Sequence, residues 1–178
     1  MEPRNKREAQ LLELTQRRSG GWYTGRAGRR RAVVLAAALL VLLWANAAVS
    51  WRLAPSDAAM YTCFAILAVV IVAGVVLWRA LTVGTRGTVG LPQHLLDERQ
   101  REDRLWAHAA AHRLTLLLVF AVYMGTFALG SDDVIEEVPS AAVVLAGLAL
   151  LATVAMLPTL VVAWRQTDPP DDDEDEDA

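Results

Sequence analysis

Cysteine and lysine are the residues that this sequence uses least. One cysteine, Cys63, is present among 178 residues. A single cysteine cannot form an intrachain disulfide. It also excludes a four-helix membrane thiol oxidoreductase, which passes electrons between paired cysteines. Lysine occurs once against sixteen arginines, and we interpret this bias, together with the abundance of alanine, as the codon usage of a high-GC bacterial genome.

Aspartate, glutamate, lysine, arginine and histidine are absent from four long apolar runs, which lie at residues 32–50, 58–78, 114–130 and 141–164. Runs of about 20 apolar residues match the roughly 30 Å hydrocarbon core of a bilayer. The whole chain is 54% hydrophobic, with a positive mean hydropathy of +0.31. We therefore predict an all-α fold, a polytopic membrane protein built as a four-helix transmembrane bundle.

Arginine is distributed unequally among the segments that flank these runs. The first 31 residues carry nine basic side chains and residues 79–113 carry six, whereas residues 51–57 carry one and residues 131–140 carry none. Lysine and arginine near the ends of spans favour the cytoplasmic side. The pattern thus predicts a multi-pass protein of the inner (plasma) membrane, with both termini and the 79–113 loop in the cytoplasm.

The chain is expected to have three regions: a basic, largely flexible cytoplasmic leader (1–31), a membrane domain (32–164) and a disordered acidic tail (165–178). The tail is dominated by like charges, which repel one another and prevent a packed core. The first apolar run could also be a cleaved signal peptide, with Ala45-Asn46-Ala47 as the cleavage site. The 31 residues ahead of it exceed the usual basic region, so we favour a retained helix.

Local signals inside and between the runs give three further expectations. Asp57 is expected to cap the second helix. Small residues, namely Gly74 in the second run and Ala142, Ala146 and Gly147 in the fourth, are expected to let neighbouring helices approach closely. Asn46, a polar residue within the first run, is expected to form a hydrogen bond with a neighbouring helix or a backbone carbonyl.

The second half of the 79–113 loop has a helical pattern. No glycine or proline separates Leu95 from the third run, which predicts one helix from about Leu95 to Gly130 whose first turns stand in the cytoplasm. Asp97 and Arg101 have the i,i+4 spacing that brings side chains together on a helix. We expect this juxtamembrane helix to bind a partner through a patterned set of charged residues: Asp97, Glu98, Arg99, Arg101 and Arg104.

The sequence offers little that could carry catalysis or hold a cofactor. A proton-coupled exporter needs a carboxylate within the membrane, and the four runs contain none. His108 and His112 lie on one predicted helix, so they cannot face each other across a b-type haem. Their spacing suits a metal pair and His94 lies nearby, but no cysteine or HExxH glutamate completes a site. We expect no catalytic residue, metal site or cofactor, and the sequence assigns these histidines no role.

The segment Leu96-Asp97-Glu98-Arg99-Gln100, followed by Arg104 and an alanine-rich run, resembles the cytoplasmic motif of a class of uncharacterised small bacterial membrane proteins. Their signature is a D-E-R triplet and then a basic, alanine-rich helix that enters a span. The resemblance covers about 30 residues and the four-helix layout. It implies an architecture and supplies no biochemical activity.

These patterns favour a non-enzymatic membrane protein that acts through partners. Its working surface would be the cytoplasmic segment Leu95–Arg113, and its partners would be membrane lipid, another protein or further copies of the chain, but no nucleic acid. The basic cluster Arg26–Arg31 would anchor the first helix or attract anionic headgroups. The alternative is a small transporter, channel subunit or export-related protein that works as an oligomer. An enzyme acting on lipid is disfavoured, since no nucleophile and base converge.

Overall fold

The computed structural model describes residues 25–53, 56–85, 88–89, 91–92, 94, 96, 98–129 and 139–166, together with Lys6, Glu8 and Tyr23. Side chains of the third helix are described as far as Gly125. The expectations for most of the basic leader, for Asp97 and for the acidic tail lie outside the described residues.

The described residues contain four long helices: α1 (Arg26–Leu53), α2 (Asp57–Gly84), α3 (Glu98–Leu129) and α4 (Ser140–Arg165). Each is long and apolar enough to cross a membrane. Within the described ranges there is no strand. The predicted all-α class with four long apolar helices is thus confirmed.

The ends of the helices extend beyond the apolar runs. α1 already begins at Arg26, because arginine is a good helix former and the basic cluster joins the helix. α2 is capped by Ser56, whose Oγ accepts a hydrogen bond from the Ala59 amide at 3.1 Å. The expectation that Asp57 is this cap is wrong, since Asp57 lies in the first helical turn. α3 starts at Glu98, near the predicted start, and continues without a break.

α1 is the central helix of the molecule. It packs along both α2 and α4, whereas α3 packs mainly on α4, and α2 touches α4 over a smaller area. Helices α1, α2 and α4 thus form a unit to which α3 is attached through α4. The core of this unit consists of small and branched apolar side chains: Ala32, Ala36, Leu77, Leu81, Leu160 and Ala163.

Alanines provide the close approach of helices; among the small residues expected to do so, Ala142 is buried, whereas the two glycines do not lie at a tight contact. Ala32 and Ala36 of α1 are at most 1% exposed, as befits small residues at a close helix contact. A Cβ atom placed on Gly74 or Gly147 would meet nothing within 4 Å, so neither glycine lies at a tight contact. The expectation for these two residues is wrong.

Polar contacts connect the second half of α1 to its neighbours on both sides. Asn46 is fully buried, and its Nδ2 donates to the backbone oxygen of Cys63 on α2 at 3.3 Å. This confirms the bond expected for Asn46. On the side of α4, Trp44 Nε1 donates to Thr153 Oγ1 at 3.3 Å, and that hydroxyl donates in turn to the Ala149 carbonyl.

The outer surface of the helices is strongly apolar. Tyr61 and Leu151 are each 70% exposed, and Val72 is 67% exposed. In the most apolar part of α2, only 6% of the residues are buried within the chain. Exposed apolar surface of this extent does not suit contact with water and is typical of interaction sites or membrane contact.

Candidate functional site

One end of the molecule brings together the start of α1 and the end of α4. Arg29, which is 4% exposed, donates from Nη2 to the backbone oxygen of Gln166 at 2.8 Å. A cation beside the last carbonyls of a helix also stabilises the negative end of its dipole. We call this region, defined by Arg29, Arg30, Arg165 and Gln166, the arginine-rich end.

The end of α2 closes against the same region. A Cβ atom on Gly84 would lie 3.0 Å from the Tyr23 carbonyl oxygen and 3.4 Å from Cγ of Arg29. The 3.0 Å contact is tighter than ordinary van der Waals packing, so the lack of a side chain at Gly84 is what admits the Tyr23 carbonyl. The ends of α2 and α4 and the start of α1 therefore meet around Arg29.

Two arginine–tryptophan stacks link the helices at the arginine-rich end. The Arg30 guanidinium lies 5.0 Å from the ring centroid of Trp164, which joins α1 to α4. The Arg165 guanidinium lies 3.6 Å from the ring centroid of Trp106, which joins α4 to α3. Cations over an indole face are attracted by its quadrupole. The second stack fixes the early part of α3 against the rest of the molecule.

Arg104 holds the connection between α2 and α3. Its side chain is half-buried, and Nη1 donates to the backbone oxygen of Leu91 at 2.6 Å. Leu91 and Leu96 are buried against each other in the same connection. Of the residues expected to bind a partner, Arg104 therefore has a role inside the chain, as a clamp on this connection.

The remaining candidate partner residues lie on the first turns of α3. Glu98, Arg99 and Arg101 are exposed, although both arginines also contact other groups of the chain. Asp97 lies outside the described residues. Next to these charges stand two large exposed apolar side chains, Leu105 (67%) and Trp106 (50%). We call the exposed side chains of residues 98–106 the α3 surface.

The three histidines have different surroundings. His94 Nε2 lies 3.5 Å from a carboxylate oxygen of Glu8, an ion pair when the imidazole is protonated. The His108 ring nitrogen Nδ1 lies 2.8 Å from the Arg104 carbonyl oxygen, one turn back on its own helix. His112 is exposed. In the part of the chain that is described, no three His, Cys, Asp or Glu side chains converge on a metal position.

An apolar cleft of ≈ 450 Å³ lies between α1, α2 and α4. Leu40 and Leu43 of α1 form one wall, Val75 and Gly74 of α2 the other, and Met156 of α4 the floor. Sequence reasoning missed this cleft. Hydropathy identifies which residues form apolar helices, but the cleft depends on which faces of those helices lie opposite one another.

Comparison of the chain with protein-family models, with curated proteins and with solved structures finds no match. The features of the described residues that could serve a function are the arginine-rich end, the α3 surface and the cleft.

Proposed function

We propose that this chain is a non-enzymatic, multi-pass protein of the plasma membrane with both termini in the cytoplasm. It acts by binding a protein partner through the α3 surface. Its membrane placement is supported by four apolar helices whose large side chains point outward. Its orientation is supported by the excess of arginine at one end of the helices.

The main support for the proposal is that the start of α3 is fixed by contacts within the chain while its outer side chains stay exposed. From Glu98 to Leu114, where the apolar run begins, α3 is 16 residues long, or about 24 Å at the helical rise of 1.5 Å per residue. The Arg104 bond to Leu91 and the Arg165 stack on Trp106 fix this segment. A surface that is ordered before binding loses less conformational entropy when a partner docks.

The composition of the α3 surface suits a protein interface. Protein interfaces are enriched in arginine and in aromatic side chains, with charged residues at the rim. The α3 surface presents Arg99 and Arg101 beside the half-exposed ring of Trp106. Leu105 is two-thirds exposed, and burying its apolar side chain against a partner would be favourable.

Crosslinked co-purification from membranes tests the partner. The wild-type protein should recover a specific protein, and the triple variant Asp97→Ala, Glu98→Ala, Arg99→Ala should lose it. The matched control is Arg52→Ala with Asp57→Ala, which removes exposed charges at the opposite end of α1 and α2. Unchanged recovery in the triple variant would show that the α3 surface does not bind the partner.

Growth in toxic hydrophobic compounds separates this proposal from the transporter alternative. A partner-binding protein should leave tolerance unchanged when its gene is deleted. Lower tolerance after deletion, restored in full by the triple variant, would favour a transporter or export-related protein and contradict the α3 surface as the site of action.

Cysteine labelling in intact cells tests the orientation. With Cys63→Ala as background, no native thiol remains, since Cys63 is the one cysteine of the sequence. Impermeant maleimide should label Ser56→Cys and Ser140→Cys, both exposed positions at the outer ends of helices, but not Glu102→Cys. Labelling of Glu102→Cys from outside would reverse the orientation.

A further inference from the structure

We propose that the cleft between α1, α2 and α4 binds an acyl chain of one anionic phospholipid from the cytoplasmic leaflet, with Arg79 at its headgroup. The proposal rests on the membrane placement proposed above and adds a ligand and a site to it. Three features of the cleft support it: its length, its lining and the position of its charge.

The length of the cleft matches one leaflet. On α2 it extends from Val70 to Arg79, nine residues apart, or about 14 Å along the helix. Half of the roughly 30 Å hydrocarbon core is close to that length. Val70 lies near the middle of the apolar run 58–78, and Arg79 lies just beyond the end of this run. The cleft thus runs from the middle of the membrane to one interface and no further.

The lining of the cleft suits a hydrocarbon chain. Leu39, Leu43, Ile71 and Met156 offer only apolar atoms, and the cleft opens to the outside of the helix unit. At Gly74 a Cβ atom would meet nothing within 4 Å, so this residue leaves room that no neighbouring helix fills. A chain from the surrounding bilayer can enter from the side without any helix moving.

The charge at the cleft selects the headgroup. Among the described residues that line it, Arg79 is the one charged side chain, and it is exposed next to Trp78 at the same end. A guanidinium pairs with phosphate through two parallel hydrogen bonds. The cytoplasmic leaflet is rich in anionic lipid, which basic side chains at the interface attract. Indole rings favour the headgroup level, which agrees with the place of Trp78.

A second copy of the chain fits the cleft less well than a lipid. A transmembrane helix from another copy would contact its partner along the whole bilayer thickness. The cleft covers only the half that ends at Arg79. It also bears a cation at its mouth, and the arginine-rich end of a second copy in parallel orientation would repel that cation.

Native mass spectrometry of the purified protein, delipidated in mild detergent and then supplied with phosphatidylglycerol or phosphatidylcholine, tests the proposal. The wild type should retain one phosphatidylglycerol in preference to phosphatidylcholine. Arg79→Gln should lower this preference about fivefold, which is the contribution of one basic residue near an anionic surface. Arg113→Gln, an exposed arginine of α3 outside the cleft, should leave the preference unchanged.

Filling the cleft tests where the acyl chain lies. Gly74→Leu should reduce the binding of both lipids on the order of tenfold, because the new side chain occupies the space of the chain. Gly147→Leu is the matched control, since it also adds a leucine in open space but outside the cleft. Circular dichroism and gel filtration should show both variants folded, because leucine favours helix over glycine.

Equal lipid binding by the wild type and Gly74→Leu would overturn the proposal, as would an unchanged headgroup preference in Arg79→Gln. A wild-type dimer that Gly74→Leu dissociates would show that a second copy fills the cleft, and would overturn it too. Failure of the membrane placement itself would be seen separately, as release of the wild-type protein from membranes by alkaline carbonate.

Discussion

Arg29 and Gln166 join the first helix to the last. The Arg29 guanidinium donates to the Gln166 backbone oxygen at 2.8 Å, between residues 137 positions apart in the sequence. Gln166 is the C-cap of α4, so the bond satisfies a carbonyl that the helix itself leaves open. The buried position of Arg29 makes it a structural residue of the bundle as well as part of the basic cluster at the start of α1.

Replacement of Arg29 should destabilise the protein. Arg29→Ala removes a charge-assisted bond, which contributes about 1.5–3 kcal/mol, and leaves a partly buried carbonyl without its donor. The expected result is a lower melting temperature in detergent, measured by the loss of helical circular dichroism. Arg31→Ala is the control, because Arg31 is exposed on the same helix and should change stability by less than about 0.5 kcal/mol. Equal melting temperatures for the two variants would contradict the role of Arg29.

The stack of Arg165 on Trp106 should contribute coupling energy between α3 and α4. A double-mutant cycle with Arg165→Gln and Trp106→Leu isolates this pairwise contribution. For a partly exposed cation–π contact we expect about 0.5–1 kcal/mol. The same cycle on Arg30 and Trp164, whose separation of 5.0 Å exceeds the 3.6 Å of the first pair, should give a smaller value. Strict additivity of Arg165→Gln and Trp106→Leu would show that the contact does not hold α3.

The existence of the four helices could be predicted from the sequence because the length of an apolar run and its lack of charge are properties of each segment by itself. Interactions between helices could not be predicted in this way. The arginines at positions 29 and 104 belong to charge patterns that indicate orientation and a partner surface. The structure shows both donating to backbone carbonyls of distant segments. Which residues pair in this way depends on how the helices are arranged around one another, and hydropathy does not specify that arrangement.

Small residues illustrate the same limit. Gly74 looks like a contact residue in sequence, yet it lines an open cleft, while Ala32 and Ala36 provide the close contact. Every one of them is small, so only the orientation of each helix decides which becomes buried. Asn46 was predictable because a polar side chain within an apolar run has few other ways to satisfy its hydrogen bonds.

Loss of the Arg104 clamp should open the connection between α2 and α3. Arg104→Ala frees the Leu91 carbonyl, and local opening of a segment that loses one charge-assisted bond should become more frequent on the order of tenfold. Limited proteolysis, followed by mass spectrometry, should show correspondingly faster cleavage within residues 86–97. Arg113→Ala, at an exposed position further along the same helix, is the matched control. If both variants were cleaved at the wild-type rate, the clamp would have no effect on the connection.

The Asn46 bond should stabilise the contact between α1 and α2 by a modest amount. Hydrogen bonds between membrane helices contribute about 0.6 kcal/mol on average, because the separated helices also find partners in the membrane. Asn46→Ala should cost more than this, since it also leaves a cavity at a fully buried position. Thr62→Ala is the control: the Thr62 hydroxyl is exposed and donates only to Ala58 on its own helix. Reversible unfolding in mixed micelles should therefore show a loss for Asn46→Ala and almost none for Thr62→Ala. Equal losses would mean that the bond from Asn46 to Cys63 does not connect the two helices energetically.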